Sequence, residues 1–142
     1  MTTTFALRLA TERDGPDLAQ IICDGFDLGD AARPWIARLP QAPGWTVVLA
    51  CDGATPVAAG AMFVAGEVAW LDFMSTSPAA RGRGAHTALL AMRLRLARQR
   101  GCRAALTCTG EAVPGDPQRS YANILKAGFG EAGLTHNLAP SR

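Results

Sequence analysis

This chain is short of charge, of aromatics and of long apolar runs, and each shortage removes a class of protein. Charged residues make up 18% of its 142 positions and hydrophobic ones 49%, the opposite of a disordered chain. No apolar run approaches the length of a bilayer span. Met1-Thr2-Thr3-Thr4-Phe5 has no basic segment leading into an apolar one, so no secretory signal is expected. The four cysteines, Cys23, Cys51, Cys102 and Cys108, lack CxxC spacing, and three sit among apolar residues. Free buried thiols are the expectation, with no metal and a cytoplasmic setting. Aromatics are 6% of the chain and do not interleave with the arginines. That argues against a stacking platform for single-stranded nucleic acid. Without a repeat or a linker, residues 1–142 read as one domain.

Acid is missing from one long stretch. Between Phe73 and Gly110 there is none, while Arg81, Arg83, Arg93, Arg95, Arg98, Arg100 and Arg103 all fall there. The acids gather earlier, at Glu12, Asp14, Asp17, Asp24, Asp27 and Asp30, so the net charge of +2 conceals an asymmetry. A local cationic field suits an anionic partner. A small polyphosphate fits better than nucleic acid, and no membrane is implied. Arg93, Arg95, Arg98 and Arg100 read as a solvated helix face.

Hydrophobic periodicity supplies the elements. Phe5 to Ala10 alternates as a strand with Arg8 outward, and Asp14 is placed to cap a helix that has Pro16 in its first turn. Leu18, Ile21, Ile22 and Phe26 recur at helical spacing, and a second short helix is expected over Ala32 to Leu39. Three strands follow, Trp45 to Cys51, Val57 to Val64 and Val68 to Met74, separated by the tight turns at Asp52-Gly53 and Gly66. Ala85 to Arg100 is an amphipathic helix ended by Gly101, and Arg103 to Cys108 is a strand. Strand, helix and strand give a parallel right-handed crossover. Glu111 to Gln118 is a loop, Ser120 to Ala127 a short helix and Gly133 to Leu138 a last strand.

Ser77-Pro78-Ala79-Ala80-Arg81-Gly82-Arg83-Gly84-Ala85-His86-Thr87 joins the third of those strands' apolar run to the long helix. Amides at a helix start are donors outside the ladder, the dipole adds positive charge, and glycines admit a ligand close to the backbone. Such a turn holds phosphate. The Lys-Ser/Thr of a P-loop is absent, which points away from a nucleoside triphosphate.

The meander, the Arg-Gly-x-Gly-Ala turn, the crossover and Ser120-Tyr121-Ala122-Asn123-Ile124-Leu125-Lys126-Ala127-Gly128-Phe129 together resemble the GNAT superfamily of acyl-CoA-dependent N-acetyltransferases. The order of elements is similar over nearly the whole chain, and the sequence likeness is strongest from Asp72 to Phe129. The resemblance implies an α/β (α+β) fold: a mixed, mostly antiparallel sheet of six to seven strands, a β4-α3-β5 parallel crossover and helices on both faces. It implies acetyl-CoA as co-substrate. Its pyrophosphate would lie on the amides of Gly82, Arg83, Gly84, Ala85, His86 and Thr87, and its pantetheine arm on the backbone of Met74, Ser75 and Thr76 at a bulged strand end. Arg81 and Arg83 would meet phosphate, and Asn123 the pantetheine or acetyl group. The acceptor would be a small-molecule or peptide amine, and a homodimer is compatible.

The superfamily pattern Q/R-x-x-G-x-G/A fits from Arg81, but His86 stands where Gly or Ala is usual. The strand Glu and helix Tyr of many relatives are replaced by Cys108 and Ile124. Candidates for moving protons are then Asp72, Glu111 and Tyr121. Asp72, in an apolar strand, is either a base or a hydrogen-bonded structural carboxylate. Glu111 either reaches the amine or is a solvated loop residue, and Tyr121 either protonates the thiolate or packs. His86 reads as a packing residue, Ser120 as a helix cap, and Cys108 as buried. The acids at Asp24, Asp27 and Asp30 would favour a cationic acceptor. A non-catalytic acyl-CoA-binding domain is the alternative.

Overall fold

Alternation in the apolar segments produces a five-stranded sheet. The computed structural model describes residues 5–107, all within the unit Met1–Cys108. The strands are β1 (Ala6–Leu9), β2 (Trp45–Asp52), β3 (Thr55–Ala65), β4 (Val68–Thr76) and β5 (Ala104–Thr107), and the helices α1 (Gly15–Phe26), α2 (Arg33–Ala37) and α3 (Ala85–Gln99). The strands lie in chain order, β1-β2-β3-β4-β5. Neighbours are antiparallel except β4 and β5, which α3 connects in parallel. The sixth and seventh strands, the last helix and the end of the expected single domain lie outside the described residues.

Both faces of the sheet are covered, and strand alternation sorts side chains between them. Val47, Leu49, Ala59 and Ala61 face Leu18, Ile21 and Ile22 of α1 and Ile36 of α2. Their chain neighbours Val48, Ala50 and Ala58 face Ala85 and Leu89 of α3. α2 is shorter than the sequence suggests because 3-10 turns at Asp30–Ala32 and Leu39–Gln41 take its ends. Pro40 lacks the N–H that a longer α-helix would need.

Two arginine and aspartate assignments change. Asp14 caps no amide of α1. Its carboxylate instead accepts the Thr11 N–H at 2.8 Å and both Arg8 terminal nitrogens at 2.7 and 2.8 Å. Arg93, expected on a solvated face, is only 2% exposed. Helical periodicity had already placed Leu89 and Met92 inward, and Arg93 shares that side. Arg95, Arg98 and Arg100 are exposed, as expected.

Helix α1 is seated on β4 by a missing side chain. Ser75 Oγ donates to the Ile21 carbonyl at 3.0 Å. A Cβ on Gly25 would come within 1.8 Å of that same Oγ. Cys23 and Cys51 are buried free thiols, as expected.

Two stability predictions follow from these contacts. Asp14 has its pKa held down to about 2 from 3.8, first by the Arg8 hydrogen bonds, against the opposing pull of burial, with the Thr11 amide adding to the depression. A depressed carboxylate stabilises the fold above its unfolded pKa, so this contribution is complete above pH 3.8 and disappears as pH falls toward 2. Asp14→Asn should cost about 1–2 kcal/mol at neutral pH, discounted because Arg8 is half exposed, and should flatten the acid limb of urea stability against pH. Gly25→Ala should destabilise by about 1–3 kcal/mol through overpacking, despite alanine's better helix propensity. Gly29→Ala, which meets nothing within 4 Å among the described residues, should leave the urea midpoint unchanged.

Candidate active site

The end of β4 departs from regular strand geometry. Ala59 pairs with Ser75, but Ala61 pairs with Asp72. Phe73 and Met74 therefore stand opposite the single residue Gly60, which is a β-bulge. Phe73 carries the distortion at φ 49°, a left-handed conformation that disfavours an aromatic residue by about 1–2 kcal/mol. Its ring packs on the α1 face and Met74 on the α3 face. The bulged strand end expected from the resemblance is therefore present, at Phe73 and Met74.

Aromatic rings surround Phe73. Its centroid is 6.1 Å from Phe26, 5.8 Å from Trp35 and 5.9 Å from Trp45. Phe26 and Trp35 remain about half exposed, so this cluster presents an aromatic surface beside the bulge.

Beneath the bulge, on the α3 face, lies Arg93. Gly60 leaves a hollow there; a Cβ at that position would be 2.8 Å from the guanidinium carbon. The buried guanidinium donates to the carbonyls of Ala61 at 2.9 Å, Asp72 at 3.3 Å and Leu89 at 3.3 Å. Burial pushes its pKa down to about 10 while the nearby Asp72 charge pulls it up, so it stays cationic at neutral pH. His86, seven residues earlier on the same side of α3, has its pKa lowered by burial and then by the Arg93 charge.

Asp72 uses both carboxylate oxygens. Oδ2 accepts the Trp70 indole N–H at 3.1 Å and Oδ1 the Phe73 N–H at 2.8 Å. These are the contacts of the structural alternative foreseen for it. Glu111, Tyr121 and Asn123, with Cys108, Ser120 and Ile124, lie outside the described residues.

The expected cofactor turn has the backbone of a cradle. Gly82 and Gly84 adopt φ 78° and 85°, where a side chain would be strained. Among the described residues, nothing lies within 4 Å of a Cβ built on either. The ladder of α3 begins with Ala88 donating to the Gly84 carbonyl at 3.1 Å, and the preceding amides belong to the helix start. Ala85 is buried and Thr87 exposed. The arginine side chains are anchored within the protein. Arg81 Nε donates to the Thr76 carbonyl at 3.2 Å. Arg83 pairs with Asp52 at 3.4 Å and stacks over the Phe5 ring at 4.4 Å. The Thr76 carbonyl at the end of β4 thus meets the turn through Arg81. The described pairs of β5 with β4 run from Val68↔Ala104 to Leu71↔Thr107.

A cleft of about 370 Å³ opens beside the turn, lined by Asp17, Gln20, Asp24, Thr76 and Arg81 among others. Of the three acids expected at an acceptor site, Asp24 lines it. Arg33 pairs with both Asp24 and Asp30 at 3.2 Å, and Asp27 ends α1 at φ 52°. Among the described residues no group of three or more His, Cys, Asp or Glu could hold a metal ion. No helix among them is long and apolar enough to cross a membrane.

Arg93 and Gly60 are a contact at the bulge that sequence reasoning does not find. The available signal was a glycine inside an apolar strand, which marks a bulge or a close approach.

Solved structures share this architecture. A putative acetyltransferase from Agrobacterium tumefaciens str. C58 is 22% identical, with a TM-score of 0.79 over 95% of this chain and 99% of that one. The aminoglycoside acetyltransferase AAC(6')-Iy, in complex with the bisubstrate analogue CoA-S-monomethyl-acetylneamine, is 15% identical, with a TM-score of 0.79 over 99% and 100%. A predicted acetyltransferase with acetyl-CoA from Clostridium acetobutylicum is 16% identical, with a TM-score of 0.75 over 96% of each chain. No curated protein sequence matches the chain. The profile of the Acetyltransferase (GNAT) family matches residues 16–115, a span that runs from the start of α1 through the glycine turn and beyond β5, so the chain belongs to the GNAT acetyltransferase family.

Proposed function

We propose that this protein transfers an acetyl group from acetyl-CoA to an amine by direct attack within a ternary complex. The observation that carries the reading is the adjacency of two backbone devices. The bulged end of β4 lies beside a turn with two left-handed glycines that opens α3. Family membership supports it, as do neighbours whose structures contain acetyl-CoA or a CoA-containing analogue.

In this reading the amides from Gly82 to Thr87 hold the pyrophosphate, and the backbone of Met74, Ser75 and Thr76 orients the pantetheine arm. The amine nitrogen bonds to the acetyl carbon, the carbon–sulfur bond breaks, and the amine's proton is lost as the thiolate gains one. Backbone amides at the bulge stabilise charge on the carbonyl oxygen. Glu111 is proposed as the base, Tyr121 as the acid, and Asn123 as a contact of the pantetheine or acetyl group. Asp72 is not proposed as the base, because the Trp70 indole and the Phe73 amide already donate to its two oxygens. The acceptor is proposed to be cationic, since Asp17 and Asp24 line the cleft.

The second reading is a GNAT-fold protein that binds acyl-CoA without turning it over. Cys108 and Ile124, in place of the usual Glu and Tyr, favour it.

Calorimetry with acetyl-CoA and a labelled-acetyl assay over an amine panel separate the two. Gly84→Val should weaken acetyl-CoA binding at least about tenfold, because a β-branched residue at this φ distorts the cradle. Binding unchanged by Gly84→Val would remove the turn from the site, and binding without transfer to any amine would favour the second reading. Asp17→Asn with Asp24→Asn should raise KM for cationic amines several-fold more than for neutral ones. An unaltered preference would discard the cationic acceptor.

A further inference from the structure

The peptide unit between Asp72 and Phe73 is held at both of its polar ends. Its carbonyl accepts from the buried Arg93 guanidinium at 3.3 Å. Its N–H donates to the Asp72 carboxylate at 2.8 Å. Asp72 is itself fixed by the Trp70 indole at 3.1 Å. Arg93 reaches this position only because Gly60, across the bulge, has no side chain. The same guanidinium nitrogen also holds the carbonyl of Ala61, the residue that pairs with Asp72. The strained residue of the bulge, Phe73 at φ 49°, is the one that follows this pinned peptide.

A buried cation is costly to desolvate, and an apolar residue of similar size commonly serves stability as well or better. An arginine spent on carbonyls at this one irregular point of the sheet calls for another explanation. We infer that Arg93 and Asp72 form a two-sided clamp that fixes the orientation of the 72–73 peptide and keeps Phe73 in its left-handed conformation. The clamp thereby sets the shape of the bulge on which the acetyl group is to be placed. Both are positioning residues, and neither exchanges a proton with substrate. The catalytic consequence rests on the acetyl-transfer reading above; the clamp itself does not.

The two parts are tested separately. Amide hydrogen exchange, followed by NMR on the full chain without acetyl-CoA, reads the clamp. Asp72→Ala and Arg93→Met should each speed exchange of the Phe73 amide at least about tenfold relative to the ladder amides of β2. Asp72→Asn keeps an acceptor oxygen and should preserve most of the protection. If Arg93→Met does not fold, Arg93→Lys and Asp72→Ala carry the same comparison. Phe73 protection unchanged in Asp72→Ala overturns the clamp, whatever the activity.

Kinetics read the consequence. Asp72→Ala should lower kcat about tenfold with KM for acetyl-CoA within about threefold, because a misplaced carbonyl costs rate more than binding. Asp72→Asn should recover kcat to within about threefold and keep the wild-type pH profile. A general base would give the opposite result: Asp72→Asn as inactive as Asp72→Ala, with the acid limb of the profile lost. That outcome overturns the positioning role. Amide exchange that responds as expected in a wild type that transfers no acetyl group would reject the function and leave the clamp standing.

Discussion

The burial of one arginine beneath one glycine is the constraint around which the site end of this fold is arranged. Arg93 lies in the hollow left by Gly60 and donates to carbonyls of β3, β4 and its own helix. That ties α3 to the two strands that form the bulge. The glycine turn that opens α3 and the bulge are thereby tied to one helix. Removing the cation's partners would leave a buried charge uncompensated, which is why such a group is either fully engaged or absent.

The other face works through apolar contact. α1 lies close to β4 because Gly25 admits the Ser75 hydroxyl, which bonds to the Ile21 carbonyl. The aromatic rings of Phe26, Trp35 and Trp45 then close on Phe73. The strained residue is held by polar groups on one side and by rings on the other. Strain of this kind persists where the surroundings over-determine the backbone, and it concentrates at working sites.

Much of this was legible in the residues. The meander followed by a parallel crossover came from turn positions and from the change of period between β4 and α3. The glycine turn was legible because only glycine readily takes the φ values that Gly82 and Gly84 have. The bulge came from the family likeness, and its location at Phe73 and Met74 from strand register. Arg93 was misread because an arginine at helical spacing is usually solvated; nothing adjacent in sequence marks its partner, Gly60. Asp14 was misread for a related reason. Its position suits a helix cap, but Arg8, on a strand before it, offers two charged hydrogen bonds, which outweigh neutral amides.

What the sequence alone determined are the properties that repeat locally: the order of the described elements, the glycine turn and the GNAT likeness, which implied helices on both faces. Periodicity and backbone freedom are written into neighbouring residues, so they can be read from them. What only the tertiary structure decided is how distant groups are paired. It set Arg93 against Gly60 and Asp72, Asp72 against Trp70, and Arg81 and Arg83 against Thr76 and Asp52. Such pairings depend on strand register and on which face a helix turns inward. Both are fixed by the packing of the whole core rather than by any one segment.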